Sequence, residues 1–394
     1  MTSTVDDAIA LGERILSARV GSPVTLSHTE RIASDSDAVL VRGVTSDSPF
    51  LPSRKVVVKV FPNRGEERDG LLLREIVGYQ FVGSLSSAAT FGPELIAYDL
   101  DERAFVLSDL GTTSTLQDVL NEGQHGAVTI AALQELATLI GSLQVSTAGR
   151  EEDFHALLHR AQTKIPGLSV PFSSQVLADT LRRVPKLLHD KLGIDLVESV
   201  QDHGRRSVKR AVQGSYRAFG AAELIPENIL MSQRNIRLLD FAFCGYRDIG
   251  VDIAAVLLGF PSDLNGYELT REEIDAVTHT WVEQVDAMWP RMRRKQSSRK
   301  RILDGALTWA WLSVSWILGD EPNFEHAASK DKLDTDDIVR FLAIRNLERL
   351  GTLAEYWEDS ELADHARTVS VALAAVLKSL MEEVWIALLR VFLP

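Results

Sequence analysis

The stretch Glu223-Leu-Ile-Pro-Glu-Asn228-Ile-Leu230, followed by Ile236-Arg-Leu-Leu-Asp240-Phe-Ala242, decides the fold of this chain. Pro226 keeps the first segment out of a helix, and the apolar residues after Asn228 return the chain to a strand. The second segment is an apolar strand that ends in an aspartate. We therefore expect a β-hairpin with a polar loop before it and the carboxylate of Asp240 near Asn228.

The hundred residues at the start of the chain have the character of strands. β-Branched residues form an almost continuous run in Lys55-Val-Val-Val-Lys-Val-Phe61, and period-two patterns occur on both sides of it. The patterns predict strands over residues 24–33, 38–44 and 55–61, a helix over residues 66–84, and a hairpin of strands over residues 95–98 and 104–108.

The chain becomes helical after this region. Ser114 is the expected N-cap of a helix over residues 116–120, and residues 129–146 repeat leucine and isoleucine at helical spacing. In this half only residues 228–243 look strand-like, and everything after Asp252 is expected to be helical.

The length of 394 residues exceeds what one hydrophobic core usually fills. We therefore predict an α+β, bilobal fold. A small N-lobe over residues 1–108 would contain an antiparallel sheet and one helix, and residues 109–111 would form a hinge. Residues 112–394 would form a large, mainly helical C-lobe.

Composition excludes several classes of function. The formal charge of −13 argues against non-specific binding to nucleic acid or to an anionic membrane surface. A single cysteine excludes an intramolecular disulfide and a cysteine-rich metal site. The N-terminal residues lack a secretory pattern, and the apolar runs at 306–318 and 384–394 are too short to span a bilayer. We expect a cytoplasmic protein without nucleic-acid or membrane partners.

Lys59 lies in the middle of an apolar strand, where an unpaired ammonium group would be costly to bury. Glu75, sixteen residues later on the predicted helix, is the obvious anionic partner. Together they could hold the α- and β-phosphates of a nucleotide, as a strand lysine and a helix glutamate do in kinase-type lobes. The alternative is that Lys59 lies on an edge and points to water.

Glu223 and Asn228 have the spacing of a kinase catalytic loop, in which the acid accepts the acceptor's proton and the asparagine binds magnesium. Asp240, at the end of the next strand, adds the type of oxygen ligand that magnesium prefers. The alternatives are a solvated loop glutamate and a simple turn aspartate.

The order of these motifs resembles the aminoglycoside phosphotransferase and choline kinase family, over roughly residues 25–259. The resemblance implies a protein kinase-like fold that uses ATP and Mg²⁺, with the nucleotide in the N-lobe and the catalytic loop, metal site and acceptor pocket in the C-lobe. It implies that Asn228 and Asp240 hold magnesium and that Asp252 braces the catalytic loop. Backbone groups of three residues would hydrogen-bond adenine: Ser108, Asp109 and Leu110.

The chain departs from this family at the residue that should handle the proton. The family's loop usually begins His-Gly-Asp, whereas this chain has Ala221-Ala222-Glu223. Glutamate can still accept a proton, but a misplacement of about 1 Å can reduce a rate about a hundredfold. The prediction is an ATP-dependent phosphotransferase for a hydroxyl of a small molecule, with Glu223 as catalytic residue. The alternative is a pseudokinase that binds nucleotide without turnover.

Three further segments carry weaker signals. The expected nucleotide loop, residues 34–37, contains no glycine. Asp202-His203-Gly204 and the arginines after it are interpreted as a basic loop and helix start. The basic cluster between Arg291 and Arg301 is interpreted as a solvated helix junction, or as a docking patch for an acidic peptide or protein. It motivates a minority hypothesis, a Ser/Thr kinase for natural-product precursor peptides.

Overall fold

The computed structural model describes residues 4–33, 38–85, 91–111, 113–123, 125–165, 168, 173–232, 235–319 and 335–392. By its internal contacts the chain divides into two units. Unit 1 comprises residues 1–173, 217–246 and 326–331, and unit 2 comprises residues 174–216, 247–325 and 332–394. The lobe boundary at residues 109–111 stays a prediction.

Unit 1 begins with a five-stranded antiparallel sheet and two helices. The strand order is β1-β2-β3-β5-β4. The predicted antiparallel sheet with its helix α2 is confirmed, and with the helices that follow it the α+β class is confirmed. The elements are α1 (Val5–Val20), β1 (Leu26–Ile32), β2 (Val39–Thr45), β3 (Lys55–Val60), α2 (Glu66–Gly83), β4 (Leu95–Asp99) and β5 (Ala104–Ser108).

Helix α1 was not predicted, although its sequence carries clear end signals. Thr4 and Asp7 form a capping box at its start, and Gly21 ends it with a φ of 79°. Its buried residues pack against one face of the sheet, where Val56 and Val58 of β3 are fully buried. Because side chains alternate along a strand, Lys59 of β3 points to the opposite face.

The rest of unit 1 contains three helices and four short strands. The predicted hairpin is confirmed, with Ile229 opposite Leu238. The expected cap at Ser114 is wrong by one residue: Ser114 lies in a strand, and the Asp118 amide donates to the hydroxyl of Thr115 at 3.2 Å. The elements are β6 (Ser114–Thr115), α3 (Leu116–Gly123), α4 (Ala127–Thr147), α5 (Glu151–Gln162), β7 (Arg217–Gly220), β8 (Ile229–Ser232) and β9 (Asn235–Leu238).

Helix α4 is a core helix of unit 1. Leu133, Leu136 and Ile140 are buried on it. Of the helices in the described ranges, α4 alone is long and apolar enough to cross a membrane, by length and composition only, and 56% of its apolar window is buried within the protein.

Unit 2 is mainly helical, as predicted for the C-terminal half. Strand β7 and the strand β10 (Gly245–Asp248) correct the expectation that residues 228–243 alone would be strand-like in this half. Both strands are four residues long, too short for a clear period-two pattern. The remaining elements are α6 (Ser174–Leu192), α7 (Glu198–Val212), β10 (Gly245–Asp248), α8 (Ile249–Leu257), α9 (Arg271–Val285), α10 (Lys295–Leu318), α11 (Thr335–Tyr356) and α12 (Ser360–Phe392).

The segment Asp202-His203-Gly204 lies inside α7, so its interpretation as a loop and helix start is wrong. The His203 ring lies between two carboxylates, with Nδ1 2.6 Å from Asp304 and Nε2 3.0 Å from Asp359. Gly204 lies under the Trp311 ring, which would be 2.4 Å from an added Cβ atom. The following residues, defined here as the Asp304 cluster, share this contact region: His203, Arg206, Arg210, Asp304 and Asp359.

Candidate active site

The ammonium group of Lys59 is the centre of a polar cluster in unit 1. Its Nζ atom donates to both carboxylate oxygens of Glu75, at 2.8 and 3.1 Å, and lies 3.7 Å from Oδ2 of Asp240. Because β3 lies between β2 and β5 in the sheet, Lys59 is not on an edge strand. The structure therefore brings three of the predicted site residues together.

The surroundings of Lys59 keep its charge in place. Its side chain is 12% exposed, and Nζ lies 5.1 Å from the ring centroid of Phe61 and 5.6 Å from that of Phe105. Burial opposes the charged form, but the carboxylates of Asp240 and Glu75 outweigh it and raise the pKa of Lys59. The side chain is thus a fixed cation on one face of the sheet.

Glu75 is the buried carboxyl group of the cluster, with 2% of its side chain exposed. Its burial and the nearby charge of Asp240 raise its pKa to about 7, against the opposing effect of Lys59. Glu75 holds the lysine head group from α2, on the side away from solvent.

Asp240 follows β9 in a left-handed backbone conformation, with a φ of 60°. Aspartate tolerates this conformation better than most residues because its short side chain bonds locally. Its Oδ1 atom accepts the Ala242 amide at 2.9 Å, and its own amide donates to the Tyr79 hydroxyl at 3.1 Å. The second carboxylate oxygen faces Lys59 at 3.7 Å, and 31% of the side chain is exposed.

Asn228 is placed beside Asp240 by the hairpin. It ends a short 3₁₀ turn over Pro226–Asn228 and precedes β8. The amide of Leu239 donates to the Asn228 carbonyl at 2.7 Å. Asn228 is therefore hydrogen-bonded through its backbone to the residue that precedes Asp240. The side chains of Asn228 and Asp240 thus start from neighbouring segments of the hairpin.

Glu223 lies in a tight loop. Its amide donates to the Ala221 carbonyl at 3.0 Å, and Ala222 between them has a φ of 67°. This conformation suits glycine and costs other residues about 1–2 kcal/mol. Glu223 is half-buried, and burial and the charge of Asp240 raise its pKa to about 8. The acid is thus within electrostatic range of Asp240.

The charge balance of this group is negative. We define the Lys59 cluster as the ammonium group of Lys59 with the three carboxyl groups of Glu75, Glu223 and Asp240. In the part of the chain that the structure describes, no three His, Cys, Asp or Glu residues form a ready metal site. Magnesium, however, commonly takes only one or two ligands from the protein, and they are oxygens. The donor set of Asp240 and Asn228, within a surplus of negative charge, fits that ion.

The segment after β5 was predicted to contact adenine. The Ser108 amide donates to the Glu94 carbonyl at 2.8 Å, and the Asp109 amide donates to the Lys55 carbonyl at 2.9 Å. The Asp109 carboxylate accepts the Gly111 amide and lies 3.0 Å from Nε of Arg42. The adenine role is therefore restricted to the Leu110 amide and to carbonyl groups, and it stays a prediction.

Two other sequence predictions remain untested. Asp252 lies in α8 of unit 2, is 3% exposed, and has an oxygen 3.5 Å from a guanidinium nitrogen of Arg247. Its role as a brace of the catalytic loop stays a prediction. The expected nucleotide loop, residues 34–37, lies outside the described residues.

Sequence reasoning missed the role of Tyr79 and Arg42. Tyr79 follows Glu75 by four residues, and residues at this spacing share a helix face, so its position beside the cluster could have been predicted. Burial, together with the charges of Glu75 and Asp240, raises the pKa of Tyr79, which therefore stays a neutral hydroxyl. Arg42 pairs with Asp109 across 67 residues of sequence, and no local pattern indicates such a pair.

Comparison with known proteins yields matches among solved structures alone. No protein-family model and no curated protein matches the chain. The chain is similar to a choline/ethanolamine kinase family protein from Mesorhizobium loti, at 13% identity and a TM-score of 0.47 over 86% of this chain and 92% of that one. Choline kinase LicA from Streptococcus pneumoniae matches at 14% and 0.46, over 86% and 99% of the two chains. Aminoglycoside phosphotransferase APH(4)-Ia, in a ternary complex with ADP and hygromycin B, matches at 15% and 0.44, over 86% and 97%.

Proposed function

We propose that this chain is an ATP-dependent phosphotransferase that acts on a hydroxyl group of a small molecule. The observation that carries the proposal is the position of the Lys59 ammonium group, which bridges Glu75 and Asp240. Phosphoryl transfer depends mainly on positioning a triphosphate and on neutralising charge. The fixed ammonium group of Lys59 would position the triphosphate. The carboxyl groups around it add negative charge, which a metal ion would neutralise.

The roles of the residues follow from their surroundings. Lys59, held by Glu75, would bind the α- and β-phosphates, since an ammonium group restrained on one side can offer its remaining donor to an anion. Asn228 and Asp240 would hold Mg²⁺, which when bound neutralises phosphate charge. ATP and Mg²⁺ as cofactors and the cytoplasm as location are parts of the same proposal.

Glu223 would orient the acceptor hydroxyl and accept its proton. Its half-buried position and its pKa of about 8 suit an acid–base group that works near neutral pH. The carboxyl group is within electrostatic range of Asp240, so the acceptor would lie close to the metal-bound phosphate.

A pseudokinase is the second candidate, and the conformation of Ala222 favours it. A non-glycine residue at a φ of 67° immediately before the acid marks a loop whose sequence does not match its backbone. Such a protein would bind Mg-ATP through Lys59 and Asp240 without transferring the phosphoryl group.

The decisive experiment uses radiolabelled ATP, Mg²⁺ and a panel of small-molecule alcohols, including amino alcohols and aminoglycosides. Wild type is compared with Asp240→Ala, and Asp153→Ala serves as control because Asp153 is an exposed carboxylate of unit 1 that pairs with Arg150. Transfer that disappears in Asp240→Ala and persists in the control supports the proposal. Transfer that survives Asp240→Ala refutes the assignment of the site.

The same proteins separate the two candidates. A ligand at about 100 times its dissociation constant stabilises a protein by about 2.7 kcal/mol. Stabilisation by Mg-ATP with no transfer to any alcohol, and no transfer in Glu223→Asp, favours the pseudokinase. Absence of stabilisation in wild type removes both candidates.

A further inference from the structure

A second charged feature lies in unit 2 and includes none of the residues proposed for phosphoryl transfer. Residues 287–303 contain no aspartate or glutamate, although the chain as a whole carries a charge of −13. The basic residues of this stretch are Arg291, Arg293, Arg294, Lys295, Arg299, Lys300 and Arg301.

The structure divides this basic stretch into two groups. Arg301 is buried, pairs with Asp248 and stacks on the Tyr216 ring with its guanidinium carbon 3.8 Å from the ring centroid. Arg293 pairs with Asp286. The interpretation of the stretch as a solvated cluster is therefore wrong at Arg301, whereas Arg293 is exposed but already has a carboxylate partner. The other five form what we define as the α10 basic surface: Arg291, Arg294, Lys295, Arg299 and Lys300.

The α10 basic surface has no carboxylate partner of its own. Within the described ranges, none of its five side chains forms an ion pair. All are exposed except Arg299, which is half-buried and lies over the Trp357 ring at 5.6 Å. Lys300 is within electrostatic range of Asp202, which already pairs with Arg205. Five positive charges thus remain uncompensated.

This arrangement destabilises the helix that bears it. Cations at a helix N-terminus oppose the macrodipole, and α10 starts at Lys295 with no acidic residue in its first turn. Lys295 and Arg299 lie one turn apart and repel each other. Arg294 at the N-cap provides no side-chain hydrogen bond to the first turn. Since no carboxylate among the described residues of unit 2 pairs with these side chains, an external anion would offset these effects.

We propose that the α10 basic surface binds an acidic segment of a protein partner. Arginine side chains match carboxylates through paired hydrogen bonds, and the surface covers about two helical turns, the length of a few residues of an extended peptide. Charges farther away are screened over about 8 Å at physiological ionic strength. A short acidic segment would therefore experience mainly this surface, whereas an extended polyanion would also meet the negative remainder of the protein.

This proposal is independent of the phosphotransferase proposal, because it concerns other residues and requires neither nucleotide nor turnover. The occupant is defined by its chemistry, a run of carboxylates on a segment of a partner protein.

The test measures binding of a fluorescein-labelled hexaglutamate peptide to the full chain by anisotropy. The variant is Arg291→Glu/Arg294→Glu/Lys295→Glu. Its control, Arg182→Glu/Lys186→Glu/Arg205→Glu, changes the net charge equally at exposed basic residues of unit 2 that already pair with aspartates. We expect binding to weaken about tenfold or more in the variant, because pairs would become repulsions, and to change about twofold or less in the control.

Three results would overturn the proposal. They are no peptide binding by wild type at low salt, equal weakening in variant and control, and tighter binding of an RNA oligonucleotide or of phosphatidylserine vesicles than of the peptide. A second triple variant with glutamine at the same three positions guards against misfolding, since it removes charge without adding repulsion. Circular dichroism must show that each variant keeps its helices.

Discussion

The Lys59 cluster and the Asp304 cluster both bring buried charges together, but their charge balances are opposite. In the Lys59 cluster the ammonium group lies next to the carboxyl groups of Glu75 and Asp240, and Glu223 is within electrostatic range of Asp240, whose side chain is 31% exposed. In the Asp304 cluster a carboxylate that is 3% exposed is surrounded by the imidazole of His203 and two guanidinium groups. In the first cluster carboxyl groups outnumber the one cation and Asp240 is partly exposed, whereas in the second cluster Asp304 is enclosed by its cationic partners.

We infer from this difference that the Lys59 cluster is a candidate ligand site and that the Asp304 cluster has a structural, or scaffold, role. A closed group of paired charges joins elements, and Asp304 connects α10 to α7 while His203 also reaches Asp359 at the start of α12. In a partly exposed cluster with more carboxyl groups than cations, the carboxylates repel one another, and a bound cation relieves that repulsion. Replacing the central aspartate should therefore affect stability in one cluster and ligand binding in the other.

The largest expected effect is on the Asp304 cluster. Asp304→Asn should lower the free energy of unfolding by about 3–5 kcal/mol, because it leaves Arg206 and Arg210 without the charge they surround. Urea denaturation measures the loss. The control is Asp202→Asn, at an exposed position of α7, the helix that also carries Arg206 and Arg210. It should change stability by about 0.5 kcal/mol or less. Equal stability of Asp304→Asn and wild type would contradict the scaffold role.

The matching change in the Lys59 cluster should act on the ligand. Asp240→Asn keeps an oxygen for the Ala242 amide and removes charge that raises the pKa of Glu75 and Glu223. Without ligand, its stability should equal or exceed that of wild type. The stabilisation of about 2.7 kcal/mol that wild type shows at 100 times its dissociation constant for Mg-ATP should be largely lost. A large loss of stability without ligand would show that Asp240 is structural.

A pH dependence tests the charge on His203. Burial opposes protonation, but hydrogen bonds to Asp304 and Asp359 outweigh it and raise the pKa of His203. A raised folded pKa means that the stabilisation is fully present below the unfolded pKa, about 6.5, and is lost as pH rises through the folded value. His203→Gln should thus cost about 1–3 kcal/mol at pH 6 and less at pH 9. A cost that is larger at pH 9 would contradict a protonated ring.

The smallest expected effect concerns the loop before Glu223. Ala222→Gly should raise the free energy of unfolding by about 1 kcal/mol, because glycine adopts a φ of 67° without a Cβ clash. Ala221→Gly, at a buried neighbour without positive φ, should destabilise instead. If the pseudokinase candidate is right, neither change produces transfer to an alcohol.

Sequence alone determined the local elements and the identities of the site candidates. Periodicity and turn residues, which act over a few positions, predict three features. These are the strand around Lys59, the helix that carries Glu75 and the hairpin between Asn228 and Asp240. The signals of α1 at Thr4 and Asp7 were equally local and could have been used. These features follow from short-range sterics and hydrogen bonding, so neighbouring residues suffice to predict them.

Only the tertiary structure decided which charges are satisfied. Lys59 and Asp240 meet across 181 residues, and His203 meets Asp304 across 101. Arg301 belongs to a basic stretch of sequence, but its charge is paired with that of Asp248, 53 residues away in the chain. A long-range ion pair needs two particular backbone positions to coincide in space and leaves no periodic trace in either segment. Charge surplus, and with it the distinction between site and scaffold, is therefore a property of the folded chain.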